Sequence, residues 1–304
     1  MDWVPTQFFR ADSAPTSPYA ILVLNQPINE IAFDAIRSHA SYILCADGGA
    51  NRYYELMKSR GRENIDLPSA ILGDLDSLLP SVRQHYAAHN VPILFDDDQD
   101  TADFTKCLKF LRAHAGAIAR GEQPPPHRVA APGRDLYIPS KESLSSDSSA
   151  LDVLAMGGLG GRVDQAFSQI HHLYYFLNEP SSSSGNRINL FLISEESISF
   201  VLPPGDHTIR TPHTCRSDLH RNPTSEERHR FLLAENVGII PLHGRTALTL
   251  RGFEWDVTDW ESEIGGQLST SNHIRADSVY VSSLQSPVLF TVELAERFKK
   301  GRPH

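Results

Sequence analysis

Short, continuous apolar runs that alternate with helix-length segments constrain the fold of this chain more than any other feature. The runs lie at 19–24, 41–46, 69–72, 91–95, 151–156 and 188–193. Such runs are typical of strands that are buried on both faces of a parallel sheet. Helical periodicity occupies the intervening segments at 29–39, 51–60, 78–89, 101–115 and 163–178. This alternation predicts a parallel sheet with helices on both faces.

The pattern changes near residue 197. Short strand-like runs, separated by turn residues, follow at 237–242, 247–250, 279–281 and 288–294. They predict a small antiparallel β domain, so we expect an α/β domain over 1–196 and a β domain over 197–304. Two segments are interpreted as insertions: 116–150 is rich in Pro, Gly and Ser, and 211–231 is polar and charged. We expect both to be mobile loops without a core of their own.

Composition disfavours several classes of protein. Lys and Arg total 28 and Asp and Glu total 37, so the net charge is −9, whereas a nucleic-acid binder needs a basic surface. No apolar run approaches the ~18 residues of a membrane-spanning helix, and we expect no secretory signal. Cys45, Cys107 and Cys215 are far apart in the sequence. This spacing predicts reduced thiols and a cytoplasmic location.

Acidic side chains follow four of the predicted strands. They are Asp47, Asp74, Asp76, Asp100, Asp103 and Asp164. Because the carboxyl ends of parallel strands meet at one edge of a sheet, where ligands bind, we expect these carboxylates to lie close together. Taken singly, each has a structural interpretation, as a turn residue or near a helix N-cap. Their shared position favours a function, because such a cluster is costly unless a cation neutralises it.

The chemistry of this edge favours phosphate binding. Carboxylates without convergent His or Cys suit a hard cation, above all Mg²⁺, which binds one or two carboxylates together with substrate phosphates. A glycine-rich loop at 157–161 lies between a predicted strand and a predicted helix, where its amide groups can approach phosphate oxygens. Arg162 follows the loop and adds a fork of donors. Neither a dinucleotide-binding fingerprint nor a P-loop is present.

Six motifs together resemble those of thiamine pyrophosphokinases of the eukaryotic, fungal type. They are LNQP at 24–27, CADGGAN at 45–51, GDLDS at 73–77, DQD at 98–100 with DFTKC at 103–107, GGLGGRVDQ at 157–165 and LSTSN at 268–272. They occur in the family's order and span most of the chain, although Ala102 stands where the family usually has Thr. The resemblance implies a Rossmann-like parallel α/β catalytic domain and a C-terminal antiparallel β-sandwich domain that binds thiamine. It also implies a homodimer with active sites between subunits.

The resemblance implies transfer of the β,γ-pyrophosphoryl group of ATP to the hydroxyethyl oxygen of thiamine, giving thiamine diphosphate and AMP. By position, it implies Mg²⁺ ligands at Asp74, Asp76 and Asp103, with Asp100 beside them. The residues implied on the nucleotide side are Asp47, Gly48, Gly49, Asn51, Gly158, Gly160, Arg162 and Gln165. Those implied on the thiamine side are Gln99, Trp255, Ser269, Ser271 and Asn272.

The sequence leaves alternatives for three features. Either Asp100 or Asp164 could accept the proton of the thiamine hydroxyl. Trp255 could be a wall for the thiazolium cation or a core aromatic residue. The same pattern also suits a magnesium-dependent transferase or hydrolase for another substrate, or a non-catalytic sensor that keeps the fold. Retention of the acids after the third and fourth strands disfavours the sensor.

Overall fold

The computed structural model describes residues 1–10, 12–124, 150–178 and 186–299. Most of the insertion predicted at 116–150 therefore lies outside the described residues. Within the described ranges, no helix combines the length and the apolar character that crossing a membrane requires.

The first half of the chain alternates strands and helices. Its strands are β1 (Asp2–Trp3), β2 (Tyr19–Val23), β3 (Tyr42–Ala46), β4 (Ala70–Gly73), β5 (Ile93–Phe95), β6 (Ala150–Met156) and β7 (Arg187–Ile193). Its helices are α1 (Glu30–Arg37), α2 (Gly49–Ser59), α3 (Pro80–Ala88), α4 (Asp103–Ala113), α5 (Ala115–Ala119) and α6 (Val163–Asn178), with a 3₁₀ helix at Pro5–Phe9. The six predicted strands and five predicted helices of this half are confirmed.

Six of these strands pair in parallel, in the order β7-β6-β2-β3-β4-β5. The register places Leu22 opposite Leu44 and Ile71 opposite Ile93. The carboxyl ends of β3, β4, β5 and β6 therefore lie along one edge of the sheet, which is where the predicted acids and the glycine-rich loop follow.

The second half is rich in strands. They are β8 (Ser197–Leu202), β9 (Gly205–Arg210), β10 (Thr214–Cys215), β11 (Leu233–Ile240), β12 (Thr246–Arg251), β13 (Val257–Ser262), β14 (Ser269–His273), β15 (Ser278–Ser283) and β16 (Val288–Leu294). The four predicted runs correspond to β11, β12, β15 and β16. The other five strands are missing from the prediction. Two of them, β9 (GDHTIR) and β14 (STSNH), are mostly polar and carry no apolar run.

The segment 211–231, expected to be a loop, contains β10 and a one-turn helix, α7 (Ser225–Arg228). A capping box between Thr224 and Glu227 begins that helix. Thr214, the first residue of β10, is buried, and its hydroxyl donates to the main-chain carbonyl of the buried Thr211. Local side-chain bonding thus orders a polar segment that periodicity alone does not reveal.

Two sheets organise the molecule, and one of them runs through both halves. The larger has the order β10-β11-β16-β8-β7-β6-β2-β3-β4-β5, with β14 also paired to β11. It continues from β7 to β8 as an antiparallel pair, so the strands on either side of residue 197 belong to one sheet. The smaller sheet has the order β1-β9-β15-β12-β13. The prediction of an α/β half followed by a strand-rich half is confirmed.

Burial on both faces explains the continuous apolar runs. In β2, Ile21 and Val23 pack with α1, α2 and α3, whereas Ala20 and Leu22 pack with α4, α5 and α6. The cluster on the first face extends into the second half, where Phe200 of the larger sheet joins side chains of the smaller sheet. Full burial of each large aliphatic or aromatic side chain stabilises the fold by about 1.5–3 kcal/mol.

Candidate active site at the carboxyl edge of the parallel strands

Three carboxylates converge at this edge, and we call them the acidic trio: Asp47, Asp74 and Asp103. One oxygen of each lies within 4.8 Å of the others. Asp47 follows β3, Asp74 follows β4, and Asp103 is the first residue of α4, after β5. Neighbouring parallel strands thus deliver acids to one point, as the sequence predicts for all three of these residues.

Gly73 allows the trio to come together. A Cβ atom at this position would lie 2.8 Å from Cβ of Asp47 and 3.0 Å from Cγ of Asp103. Both distances are shorter than ordinary contacts between carbon atoms. A larger residue at the end of β4 would therefore push two of the three carboxylates apart.

Hydrogen bonds orient the trio. Oδ1 of Asp103 accepts from the amide of Asp74 and from Nζ of Lys106, each at 3.2 Å. Oδ2 of Asp47 accepts from the amide of Ser77 at 3.1 Å. Within the described residues, Oδ1 of Asp47 is buried and has no hydrogen-bond partner. A buried carboxylate oxygen without a donor is costly, so this atom fits a cation ligand.

Burial and like charges disfavour ionisation of the trio. Burial raises the pKa of Asp47, and the hydrogen bond from Ser77 opposes that effect less strongly, while neighbouring carboxylates add to it. Burial also raises the pKa of Asp103, opposed by the hydrogen bond and the charge of Lys106. The ionised cluster therefore needs positive charge, and the oxygen-only donor set suits a hard divalent cation.

Asp76 and Gln99 are exposed residues that bind Asp74 of the trio. Asp76 is exposed, and its carboxylate accepts from Oγ of Ser77 at 2.8 Å. Its oxygens are not part of the close group, although its charge contributes to raising the pKa of Asp47. Nε2 of Gln99 donates to Oδ2 of Asp74 at 3.2 Å. Gln99, which is predicted on the thiamine side, therefore contacts the acidic trio directly.

The loop that carries Gln99 is folded by its own acids. The amide of Asp98 donates to Asp96, and the amide of Asp100 donates to Asp98, at 3.1 Å and 2.9 Å. These turns use side-chain oxygens in place of main-chain partners. They leave the side chains of Gln99 and Asp100 exposed, with Gln99 in contact with Asp74 of the trio.

A cavity of about 320 Å³ adjoins the trio. Its lining includes Asp47, Gly48 and Asp103 on one side and Gly157 and Gln165 on the other. The remaining lining residues are Leu24, Asn25, Gln26, Ala46, Ser77, Ala102, Phe104, Ser168 and Gln169. The structure therefore brings Gln165 and the start of the glycine-rich loop to the acidic edge.

A hydrogen bond from Gln169 fixes the glycine-rich loop. Nε2 of this residue donates to the carbonyl of Gly158 at 2.7 Å. A Cβ atom at Gly158 would lie 1.8 Å from Oε1 of the same side chain, so any larger residue there would displace the amide group of Gln169. Gly160, further along the loop, has a φ of +144°. Gln169 thus fixes the loop next to Gly157, the loop residue that lines the cavity.

The other residues predicted on the nucleotide side differ in their positions. Gly48 is the N-cap of α2 and Gly49 its first residue, so this helix begins at the cavity. The side chain of Asn51 is used structurally, because it donates to the carbonyl of Ser77 and accepts from the amide of Leu79. These two hydrogen bonds fix residues 77–79, the loop that follows Asp74 and Asp76.

Arg162 and Asp164 form an ion pair with each other on the surface. Their side chains are 75% and 59% exposed, and the shortest of their contacts is 2.5 Å. The hydrogen bond from Arg162 lowers the pKa of Asp164 below its usual value. Neither residue lines the cavity beside the trio. Asp164 is therefore a weaker proton acceptor than a carboxylate without a cationic partner.

Four residues predicted on the thiamine side form a separate group in the second half of the chain, the Trp255 cluster: Trp255, Ser269, Ser271 and Asn272, with the neighbouring His273. Oδ1 of Asn272 accepts from the amide of Trp255, and its Nδ2 donates to the carbonyl of Trp255 and to Oγ of Ser269. Ser271 is exposed with a φ of +55°. The indole of Trp255 is 54% exposed, so it is not a core residue.

The indole lies beside an imidazole, with ring centroids of Trp255 and His273 5.2 Å apart. Nδ1 of His273 is 2.9 Å from a carboxylate oxygen of Glu254. Arg275 binds that carboxylate and the carboxylate of Glu235. A network of hydrogen bonds and ion pairs therefore fixes the imidazole against which the exposed indole rests.

The acidic trio and the Trp255 cluster lie far apart within one chain. The cluster residues 269–273 form β14, which pairs with β11, and Asn272 binds the main chain of Trp255. Asp74, by contrast, follows β4. Seven strand-to-strand steps separate β11 from β4 in the larger sheet. At about 4.8 Å a step, this separation is roughly 34 Å in a flat sheet. The two groups therefore belong to widely separated strands of the larger sheet.

Lys106 is the functional candidate that the sequence analysis does not single out. It lies within the DFTKC motif, one helical turn after Asp103, and its side chain is 1% exposed. The sequence spacing could have predicted its contact with Asp103. A lysine three residues after a carboxylate at the start of a helix lies on the same helix face as that carboxylate. Gln169 was missed for a different reason, because its partner is a main-chain carbonyl 11 residues away.

Comparisons with known proteins match both halves. Residues 33–183 match the family model of the thiamin pyrophosphokinase catalytic domain, and residues 207–289 match that of the thiamin pyrophosphokinase vitamin B1 binding domain. Thiamine pyrophosphokinase 3 of Oryza sativa is 30% identical over 91% of this chain and 87% of its own length. Thiamine pyrophosphokinase 1 of the same species is 29% identical over 93% and 90%. The solved thiamin pyrophosphokinase from Candida albicans shares the fold, with a TM-score of 0.75, 22% identity and coverage of 96% of this chain and 92% of that one.

Proposed function

The chain belongs to the thiamine pyrophosphokinase family, and from that premise we propose how its own residues carry out the family's reaction. It is a transferase that moves pyrophosphate from ATP to thiamine and gives thiamine diphosphate. Atom balance requires that the β,γ-pyrophosphoryl group leave AMP behind and that the hydroxyl of thiamine lose its proton. The observation that carries the assignment of the site is the convergence of the acidic trio beside a cavity that a glycine-rich loop also lines.

Enzymes of this family use ATP together with metal ions, and we propose that the ion here is Mg²⁺. The trio supplies oxygen ligands only, and the buried Oδ1 of Asp47 supports a ligand role for that residue. A bound divalent ion would neutralise phosphate charge and stabilise the AMP leaving group. Both the family resemblance and the geometry of the trio support Asp74 and Asp103 as ligands of the ion.

The third ligand is proposed from geometry as Asp47, whereas the resemblance implies Asp76. A titration with Mn²⁺ in the absence of nucleotide decides between these two assignments. It is carried out on Asp47→Asn and on Asp76→Asn. Loss of metal affinity in Asp47→Asn alone supports the geometric assignment. Loss in Asp76→Asn alone would instead mean that the loop after Leu75 rearranges to present that carboxylate.

We propose that ATP occupies the cavity between the trio and the glycine-rich loop. Gly48 and Gly49 open α2 there, and the main chain at Gly158 and Gly160 offers amide groups to phosphate oxygens. Gln165 lines the same cavity. Arg162 is exposed next to it and can exchange its carboxylate partner for a phosphate, which its planar fork of donors suits.

Asp100 is the proposed acceptor of the hydroxyl proton. It is exposed and directly follows Gln99, whose side chain binds Asp74 of the trio. Asp164 is less suited, because its carboxylate already binds Arg162 and its pKa is lowered. Gln99, adjacent to Asp100, would orient the thiamine whose hydroxyl is activated.

Thiamine is proposed to rest on the Trp255 cluster of one subunit while reacting at the acidic trio of another. Reacting atoms must approach to about 3–3.5 Å, which the separation of the two groups within one chain prevents. A homodimer with active sites between subunits satisfies both requirements. Exposed apolar side chains near a groove between α6 and the β13–β14 turn, among them Phe167 and Ile264, support a second copy as the partner.

The finer architecture is also a proposal. Parallel strands with helices on both faces support a Rossmann-like description of 1–196, and the shared core between two sheets supports a sandwich in 197–304. Cys45, Cys107 and Cys215 are free thiols, which supports a cytoplasmic location.

Product analysis tests the proposed function. The purified protein is incubated with ATP, Mg²⁺ and thiamine, and the products are separated by chromatography. We expect thiamine diphosphate and an equal amount of AMP. Thiamine monophosphate with ADP would overturn pyrophosphoryl transfer, and the absence of any thiamine product from folded protein would overturn the substrate assignment.

A further inference from the structure

Lys106 is a buried cation at the centre of an acidic site. Its side chain is 1% exposed, and Nζ donates to Oδ1 of Asp103 at 3.2 Å and to the main-chain carbonyl of Asp96 at 3.1 Å. Lysine is almost never fully buried unless a charged partner compensates for the lost hydration. Its position therefore has a specific reason, and its partner is one of the proposed metal ligands.

The charges of the site suggest that reason. The ionised trio carries three negative charges within 4.8 Å, and Lys106 supplies one positive charge. The sum is −2, which one divalent cation neutralises. Without the lysine, the trio would carry −3 before the metal arrives, and mutual repulsion would oppose the folded arrangement.

The geometry keeps a ligand position open. The lysine and the amide of Asp74 both bind Oδ1 of Asp103, so its Oδ2 stays available to a metal. Oδ1 of Asp47 is likewise buried without a partner among the described residues. The lysine therefore compensates the cluster from one side without occupying the place of the ion.

We propose that Lys106 is a resident counter-cation that assembles the acidic trio before metal binds and limits the affinity of the trio for a free divalent ion. This inference rests on the metal role of the trio proposed above. A positive charge near the ion opposes its binding, whereas the same charge stabilises the metal-free fold. A purely structural lysine would give the opposite sign for metal affinity, because its loss would only damage the ligand arrangement.

The test is a titration with Mn²⁺ in the absence of nucleotide, because Mn²⁺ accepts the same oxygen ligands and is observed by its paramagnetism. Lys106→Met removes the charge and keeps the length of the side chain. Lys109→Met is the matched control, since Lys109 is half-buried one turn further along α4. Lys106→Arg keeps the charge.

We expect Lys106→Met to bind Mn²⁺ about tenfold more tightly than the wild type, or tighter still. Its melting temperature should fall in metal-free buffer and recover in saturating Mn²⁺. Lys109→Met should match the wild type, and Lys106→Arg should stay closer to the wild type than Lys106→Met does. Unchanged or weaker binding by Lys106→Met would overturn the proposal.

Folding failure is also decisive. A Lys106→Met protein that is unfolded without metal but folds with excess Mn²⁺ supports the counter-cation role, and one that stays unfolded in both conditions overturns it. The measurement needs neither ATP nor thiamine. A wild-type protein that forms no thiamine diphosphate would therefore count against the proposed function, while the variants still decide the role of Lys106.

Discussion

The acidic trio and the Trp255 cluster are two polar regions built in opposite ways. The trio concentrates like charges at the ends of neighbouring buried strands and depends on Lys106 as its cation. The Trp255 cluster uses neutral hydrogen bonds from Asn272 to shape a loop and leaves an indole exposed. The first suits a highly charged phosphate chain bound through a metal, and the second suits a flat organic cation.

The two regions also differ in how they are supported. The trio follows strands covered by helices on both faces, so its main chain is fixed by the core. The Trp255 cluster lies on β14, which pairs with β11 outside the main path of the larger sheet. This difference predicts that changes at the trio affect chemistry, whereas changes at the cluster affect binding of one substrate.

The largest effect is expected from Asp74→Asn. Loss of one carboxylate from the trio should reduce kcat by a factor on the order of 10²–10³, because charge on the transferring group loses its stabilisation. Steady-state kinetics measure the loss, and calorimetry should show unchanged thiamine binding. Weaker thiamine binding in this variant would break the separation between the two regions.

Mixed subunits should restore much of that loss. Asp74→Asn is combined with Trp255→Arg, whose added positive charge repels the thiazolium cation at an exposed position. Each variant alone should be nearly inactive at low thiamine. After denaturation and joint refolding, about a quarter of wild-type activity should return, because half of the dimers then contain one intact shared site. Activity equal to the mean of the two separate variants would show that each site lies within one chain.

Trp255→Ala should have a smaller and more selective effect. A desolvated contact between an indole and a cation is worth on the order of 1–2 kcal/mol, so the KM for thiamine should rise about tenfold. The KM for ATP should change little, and Trp255→Phe should retain part of the affinity. Equal increases in both KM values would mean that the indole supports the fold and does not bind thiamine.

Asn272→Ala tests whether hydrogen bonds shape the cluster. The side chain is 2% exposed, and its loss leaves the amide and carbonyl of Trp255 without their partner. The free energy of unfolding should fall by about 1 kcal/mol, measured with denaturant. Asn272→Asp keeps the acceptor and should lose less. A stability equal to the wild type in the alanine variant would remove the proposed support of the Trp255 loop.

Two buried histidines, one in each half, give the smallest expected effect. Burial lowers the pKa of His172, which lies between Thr105 and Ser168, and of His207, which lies between Trp3 and Pro203. Each is therefore favoured as the neutral form in the folded state. Their stabilisation is present above the unfolded pKa of about 6.5 and is lost as pH falls through the lower folded values.

Denaturant unfolding from pH 7.5 down to pH 5 should show this loss in the wild type. His172→Gln and His207→Gln should each flatten the pH dependence, and His171→Gln, at an exposed neighbouring position, should not. A flattened slope in only one of the two buried variants would show that the halves respond differently to acid.

Local pattern predicted much of the first half and little of the second. Continuous apolar runs identified β2 to β7 because strands buried on both faces need apolar side chains at every position. Polar strands such as β14 carry no such signal, since their pairing to β11 is set by neighbours distant in the sequence. The larger sheet runs through both halves because β7 pairs with β8, and hydrophobic periodicity does not predict that pairing.

The sequence by itself determined the order of strands and helices in the first half, the acids at the ends of those strands and the family motifs. Only the tertiary structure decided which of these acids form the close trio. Asp47, Asp74 and Asp103 do, whereas Asp76, exposed after Leu75 with its φ of +60°, does not. It also decided that Lys106 enters the site and that β14 of the Trp255 cluster lies eight strand-to-strand steps from β4. The physical reason is range: periodicity reports contacts a few residues apart, whereas the meeting of particular atoms depends on main-chain turns and sheet order across the whole molecule.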